Sequence, residues 1–212
     1  MTRRFWKFAV VLLFVGGLAG IGCNQLRRRS PIPVPTTEYG RELARAEHFA
    51  KLGNWESAGP IFRHLERRYE ALGDTRNALY ARVSRYRAEI EFSDLQLLSA
   101  ELARILARPD VQKDLGLKQR CLETKGNVDL NLDGVSARPS FEELERVARQ
   151  RKDGDTESRA SGELGILAFL EGNPSQAKWR VLKAIGNAVF YRDVGAQIRY
   201  FALMGQGMAH NG

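Results

Sequence analysis

Residues 164–184 read LGILAFLEGNPSQAKWRVLKA, and this stretch decides the fold. It places small residues on two consecutive segments of helical periodicity, with a Gly-Asn turn between them. Because Gly165 and Ala177 lack bulk, two antiparallel helix backbones can approach closely at these positions. Val181 and Ala184 fill the next turn of the same contact. The stretch therefore predicts a tightly packed helical hairpin.

Related patterns of small residues occur twice more in the chain. Gly205 lies 40 residues after Gly165 and Gly212 lies 40 after Gly172, so the last copy has its first helix within this sequence but not its second. An earlier copy has an alanine in the place of Gly165 and an aromatic residue three positions later. The residues that define the packing of the three copies are Ala46, Phe49, Gly53, Trp55, Ala58, Phe62, Leu164, Gly165, Gly172, Ala177, Val181, Ala184, Gly205 and Gly212.

The pattern resembles the tetratricopeptide repeat, in which a Leu-Gly pair on the first helix packs against an alanine on the second. The turn at residues 53–56 reads Gly-Asn-Trp-Glu and is similar to the family's Gly-Asp-Tyr-Glu turn. The resemblance covers residues 39–69 and 158–212 and is diffuse between them. Arg45 departs from the usual Leu, and neither copy ends in the family's proline, so we expect long second helices. The resemblance implies antiparallel hairpins stacked as a right-handed solenoid over residues 38–212, with another helical-hairpin fold as the alternative.

The chain from residue 38 onward has helical periodicity, few helix breakers and no sustained strand-like alternation. This pattern predicts an all-α fold. The nine predicted helices span residues 39–52, 55–72, 74–93, 95–107, 111–127, 140–152, 156–171, 174–190 and 193–211.

The boundaries between these helices are predicted from glycine, proline and capping residues. Asn54 and Asp74 are expected to cap the helices that follow them. Pro109 and Pro139 are expected to stop helices, and Ser140, with a glutamate three residues later, resembles a capping box. Three glycines are expected to end helices in the left-handed conformation, namely Gly53, Gly73 and Gly172.

The N-terminal residues 1–22 have the layout of a secretory signal peptide, with basic residues before an apolar run at 8–21. Small residues then precede Cys23, which resembles a bacterial lipoprotein signal and implies that Cys23 carries a lipid. Gly20 departs from the usual Leu three positions before the cysteine. The alternatives are ordinary cleavage with secretion, or an uncleaved N-terminal anchor, although the run is shorter than the ~20 residues of a spanning helix.

Residues 23–37 read as an extended tether, because alternating prolines exclude a helix or a central strand. An arginine triplet, Arg27, Arg28 and Arg29, opens this tether and either contacts anionic headgroups or forms a solubilising junction. From Ser30 onward 27 basic residues oppose 25 acidic ones, so the body lacks the charge excess of a nucleic-acid-binding domain. We therefore expect membrane and protein partners and no nucleic acid.

The sequence contains no catalytic constellation and implies no cofactor. Asp129, Asn131 and Asp133 match the opening of a calcium loop, but Ser140 stands where the closing glutamate is needed. We interpret this stretch as a helix-terminating turn. Cys121 lies between leucines on a predicted helix and is expected to be a small buried residue.

In a stack of hairpins the first helices line a concave face that can bind a peptide. In the clearest copy the residues expected on this face are Gly162, Ile166, Phe169 and Leu170. In the first copy they are Gly40, Leu43, Glu47 and Lys51. The alternative is that these residues pack on the adjacent hairpin. Some family members bind a C-terminal carboxylate with Lys and Asn side chains on this face, and this sequence lacks that set.

The function expected from these features is a membrane-tethered, non-enzymatic adaptor that binds proteins in a bacterial cell envelope. One alternative is the sensor or scaffold portion of a longer enzyme, since similar arrays often precede a caspase-like peptidase domain. Another is a lipoprotein of envelope assembly. The last helix is expected to leave part of its apolar surface exposed, at Phe201, Leu203, Met204 and Met208.

Overall fold

The computed structural model describes residues 38–210, with side chains described as far as Gly205. Within this part of the chain there are ten α-helices, two single turns of 3-10 helix and no strand, so the predicted all-α class is confirmed. The signal peptide, Cys23, the tether with its arginine triplet, and Gly212 lie outside the described residues. The helices are α1 (Glu38–Lys51), α2 (Trp55–Ala71), α3 (Thr75–Ala88), α4 (Leu95–Leu106), α5 (Pro109–Lys113), α6 (Leu115–Leu132), α7 (Arg138–Arg151), α8 (Gly154–Leu170), α9 (Pro174–Tyr191) and α10 (Val194–His210).

The helices α8 and α9 form a close hairpin around Gly165. A Cβ atom added to Gly165 would lie 2.8 Å from Cγ2 of Val181 and 3.3 Å from the carbonyl oxygen of Ala177. Leu164 and Ala184 are completely buried beside this contact. A larger residue at Gly165 would therefore push the two helix backbones apart.

The first hairpin, α1 with α2, has its own apolar core. Ala46, Ala58 and Phe62 are completely buried, and the half-buried Phe49 and Trp55 pack against them. At each of three turns, Gly53, Gly73 and Gly172 adopt φ between 70° and 76°, the left-handed conformation that ends a helix.

Side-chain caps begin the helices that follow these turns. The Asn54 side chain accepts a 3.0 Å hydrogen bond from the Ser57 amide, and Asp74 accepts one of the same length from Asn77. Each cap pairs an amide that would otherwise lack a partner at the start of its helix.

Two prolines begin helices, which corrects the prediction that they stop them. Pro109 is the first residue of α5 and Pro139 the second residue of α7. The first turn of a helix has no partner for its amide groups, so the missing N–H of proline costs nothing there. Ser140 consequently lies inside α7 and is buried, while Ala137 precedes the helix without a side-chain cap.

The predicted helix over 111–127 is divided at Asp114. This residue ends α5 and caps α6, accepting a 2.9 Å hydrogen bond from the Leu117 amide. The guanidinium of Arg76 on α3, 2.8 Å away, also binds this carboxylate, and its hydrogen bond is the main cause that lowers the pKa of Asp114 to about 2. The helix then continues to Leu132, five residues beyond the predicted end.

The last helix, α10, packs on α8 and α9 and also contacts α1. A Cβ atom added to Gly195 would lie 2.0 Å from the carbonyl oxygen of Lys51, so only glycine fits where α10 meets the end of α1. Arg159 of α8 donates a 2.8 Å hydrogen bond to the same carbonyl oxygen. Of the apolar residues expected to be uncovered on α10, Phe201 is exposed, whereas Leu203 and Met204 are half-buried and pack against the core shared with α9. The side chain of Met208 lies outside the described part.

Candidate functional site

A cavity of about 370 Å³ lies among the helices of the described chain. We call it the inner cavity. It lies between α1, α3, α6 and the first turns of α8, with Arg151 and Asp153 at the end of α7 closing one side. Its lining combines both signs of charge with two aromatic rings, and includes Leu43, Glu47, Lys51, Trp55, Arg76, Tyr80, Gln119, Arg120, Glu123, Arg151, Asp153, Asp155 and Arg159.

Arg120 of α6 joins three helices at the floor of the inner cavity. Its guanidinium forms ion pairs with Glu47 of α1 and with Glu123, and donates a 2.9 Å hydrogen bond to the hydroxyl of Tyr80 on α3. The Tyr80 hydroxyl in turn donates a 2.9 Å bond to Glu47. Burial raises the pKa of Tyr80 to about 12, so its hydroxyl keeps its proton at physiological pH.

A second set of polar contacts closes the cavity between α1 and α8. Lys51 forms a 3.2 Å ion pair with Oδ2 of Asp155, whereas Oδ1 of Asp155 is buried without a hydrogen-bond partner. Arg151 donates a 2.7 Å hydrogen bond to the side-chain oxygen of Gln119. These contacts join α1 to α8 and α7 to α6 around the cavity.

A smaller cavity of about 260 Å³ lies between the end of α1 and helices α6, α8 and α10. Arg87 projects into it from α3, stacked at 4.9 Å on the ring of Trp55 and donating a 3.0 Å hydrogen bond to Asn127. Among the described residues it forms no ion pair with a carboxylate. Burial lowers the pKa of Arg87, the expected effect of desolvating a cation.

The structure divides the residues predicted to face a bound peptide. Leu43, Glu47 and Lys51 line the inner cavity, whereas Gly40 does not. The set from α8 lines neither cavity: Ile166 is half-buried, and Phe169 and Leu170 are exposed on the surface.

Gly162 corrects the interpretation of that set. It faces α10 and not an open surface, because a Cβ atom added there would lie 2.1 Å from Cζ of Tyr200. Tyr200 itself is completely buried, and its hydroxyl donates a 2.9 Å hydrogen bond to the carbonyl oxygen of Arg159. Gly162 thus packs on the adjacent hairpin, which is the alternative that the sequence left open.

The partial calcium motif lies in the last turn of α6 and the turn that follows, and its oxygen atoms have other partners. Asp129 is buried, accepting a 2.6 Å hydrogen bond from Ser99 and pairing with Lys125. Asp133 accepts a 2.9 Å bond from the amide of Ser136, and the amide group of Asn131 bonds the backbone within α6. Within residues 38–205 no group of three or more His, Cys, Asp or Glu side chains could hold a metal ion.

Cys121 is completely buried, as predicted. Burial raises the pKa of its thiol to about 12, so the reactive thiolate is not populated at neutral pH. The side chain therefore acts as a small apolar group within the core of α6.

Arg120, Tyr80, Arg87 and Arg159 were not predicted as lining residues. Tyr80 and Arg87 lie on α3, Arg120 on α6 and Arg159 on α8, so no local spacing connects the three helices. These residues come together only because α3, α6 and α8 pack on one another. Such contacts between distant parts of the chain leave no local pattern in the sequence.

No protein-family model matches this chain, and no curated protein matches it either. Over residues 38–210 no helix is both long enough and apolar enough to cross a membrane. The functional assignment therefore depends on the residues and their geometry alone.

Proposed function

We propose that this chain is a membrane-tethered, non-enzymatic scaffold of the tetratricopeptide type, which binds peptide segments of protein partners in a bacterial cell envelope. The small-residue contacts at Gly165 and Ala46 support the repeat character of its hairpins. The resemblance of residues 1–23 to a lipoprotein signal supports the tether, and the nearly equal numbers of acidic and basic residues after it argue against nucleic acid.

The inner cavity is the observation that carries this proposal. Helices that are not consecutive in the chain supply donors and acceptors around one space, with Trp55 and Tyr80 as aromatic walls. An extended peptide presents backbone donors and acceptors at every residue, so a lining of mixed charge suits it better than a lining of one sign.

A photo-crosslinker tests this assignment. We expect p-benzoylphenylalanine at Leu43, inside the inner cavity, to form discrete adducts with envelope proteins in intact cells, each mapped by mass spectrometry to one short segment of the partner. The matched control places the same residue at Leu72, which is 63% exposed at the end of α2 and lies outside both cavities. Equal adducts from Leu72, or none from Leu43, would refute the proposal.

Lipidation is tested separately. We expect an alkyne-tagged fatty acid fed to the producing bacterium to label the native chain, and Cys23→Ala to abolish the label. Cys121→Ala is the matched control, because it also removes a cysteine, but one that is buried. We expect this variant to keep the full label. Labelling that persists in Cys23→Ala would contradict a lipid on this residue.

A further inference from the structure

The side of α9 that faces away from the fold is apolar. Its inner side packs on the hairpin through Ala177, Val181, Ala184 and Ala188. The opposite side presents large apolar side chains to solvent, with Phe190 77% and Trp179 60% exposed. We call this surface the outer face of α9; its residues are Trp179, Leu182, Val189 and Phe190.

The spacing of these residues makes them one continuous stripe. They recur at intervals of three, seven and one, and Gly186 completes the register between Leu182 and Val189. A Cβ atom added to Gly186 would meet nothing within 4 Å, so the middle of the stripe is open. An exposed apolar stripe of this kind is typical of an interaction surface.

The charged residues that α9 itself places beside this stripe are all basic. Helix α9 contains three basic residues and no acidic one, and Lys178 and Lys183 lie on opposite borders of the stripe. Arg192 follows directly after the helix and is exposed. Lys183 is paired at 3.6 Å with Glu145 and with Glu157, whereas Lys178 and Arg192 are exposed and form no ion pair among the described residues. These two residues give the exposed surface beside the stripe its positive charge.

We propose that the outer face of α9 docks on an anionic lipid surface, with its aromatic side chains at the level of the headgroups. Helices that lie in the membrane interface typically have this composition, with Trp, Phe and Leu on one side and Lys and Arg along the borders. Basic residues near an anionic surface add an electrostatic attraction that salt weakens. The matching α9 of a second copy would offer no carboxylate to Lys178 and Arg192, because this helix contains no acidic residue.

This docking goes beyond the proposed scaffold function. It rests on the composition and exposure of α9 and requires neither a lipid on Cys23 nor a peptide in the inner cavity. A lipid-facing α9 would fix the orientation of the fold relative to the bilayer, which a tether alone would leave free.

Fluorescence quenching tests the proposal on the full chain. The chain is bound to vesicles of phosphatidylglycerol or of phosphatidylcholine whose acyl chains carry bromine, a short-range quencher of indole emission. Subtracting the signal of the Trp179→Phe variant isolates Trp179 from the other two tryptophans, Trp6 and Trp55. We expect Trp179 to be quenched and blue-shifted on the anionic vesicles, and to lose most of that quenching on the neutral ones and in high salt.

Matched variants assign the quenching to the outer face. Phe190→Ser and Lys178→Gln are expected to lose it, whereas Phe92→Ser, an equally exposed phenylalanine (88%) outside α9, keeps it. All three positions are exposed, and an unchanged urea midpoint establishes that each variant is folded. A chain that floats with anionic vesicles while Trp179 stays unquenched would overturn the proposal, as would a dimer in solution that Phe190→Ser dissociates.

Discussion

Gly162→Ala is expected to lower the free energy of unfolding by about 2 kcal/mol, which places it among the most damaging single-atom additions to this fold. The new methyl group would lie 2.1 Å from the Tyr200 ring, which is completely buried. The ring cannot withdraw without losing the hydrogen bond from its hydroxyl to the carbonyl oxygen of Arg159. Alanine stabilises a helix relative to glycine by about 1 kcal/mol. The steric cost of the added methyl group must therefore exceed this gain for the substitution to destabilise the fold. The measurement is the urea midpoint followed by circular dichroism.

Gly186→Ala is the matched control, because Gly186 is also inside a helix but an added Cβ atom meets nothing within 4 Å. There the helix preference of alanine acts alone, and we expect stabilisation of about 0.5 to 1 kcal/mol. The two glycine substitutions should therefore have opposite signs. Stabilisation by Gly162→Ala as well would contradict the packing of α10 on α8.

Arg120→Met is expected to destabilise the fold by about 3 kcal/mol, the largest effect among the charged positions. The side chain is 9% exposed and pairs with both Glu47 and Glu123, which would keep their charges without a cation between α1 and α6. The Tyr80 hydroxyl would lose the same partner. The urea midpoint followed by circular dichroism measures the loss.

Arg63→Met provides the comparison for that loss. Arg63 also forms an ion pair, with Glu89, but its side chain is 55% exposed and Glu89 keeps a second cation in Arg85. An exposed pair of this kind contributes between 0 and 1 kcal/mol. If Arg120→Met were no more destabilising than Arg63→Met, the network at the floor of the inner cavity would not exist in solution.

The helical class and the close approach of α8 and α9 could be predicted from sequence because both depend on spacing within about twenty residues. Gly165 and Val181 lie on neighbouring helices with a short turn between them, so local periodicity determines which side chains meet. The turns at Gly53 and Gly172 could be predicted for the same reason, since a left-handed residue after a helix leaves a local signal.

The grouping of polar side chains could not be predicted in this way. Arg120 meets Glu47 across 73 residues of chain, and nothing near either residue indicates the partner. The register of Gly162 on α8 fits either an open face or a packed one, and Tyr200, on another helix, decides for the packed one. Pro109 was interpreted as a stop signal although the same residue type also suits the first turn of a helix. In each case either the contacting residue is distant in sequence, or the residue type is compatible with two different local structures.

The contact of α10 and α8 with the end of α1 has a consequence for how the chain folds. In a linear array each unit needs only its immediate neighbours, so folding can begin anywhere and the ends can fray independently. Here the Lys51 carbonyl oxygen is bound by a guanidinium 108 residues further along the chain, and Gly195 packs on the same atom. Loss of either end removes a partner of the other, which favours one cooperative unfolding transition. Closing so long a loop also adds to the entropic barrier, so the chain should fold more slowly than an open row of hairpins of the same length.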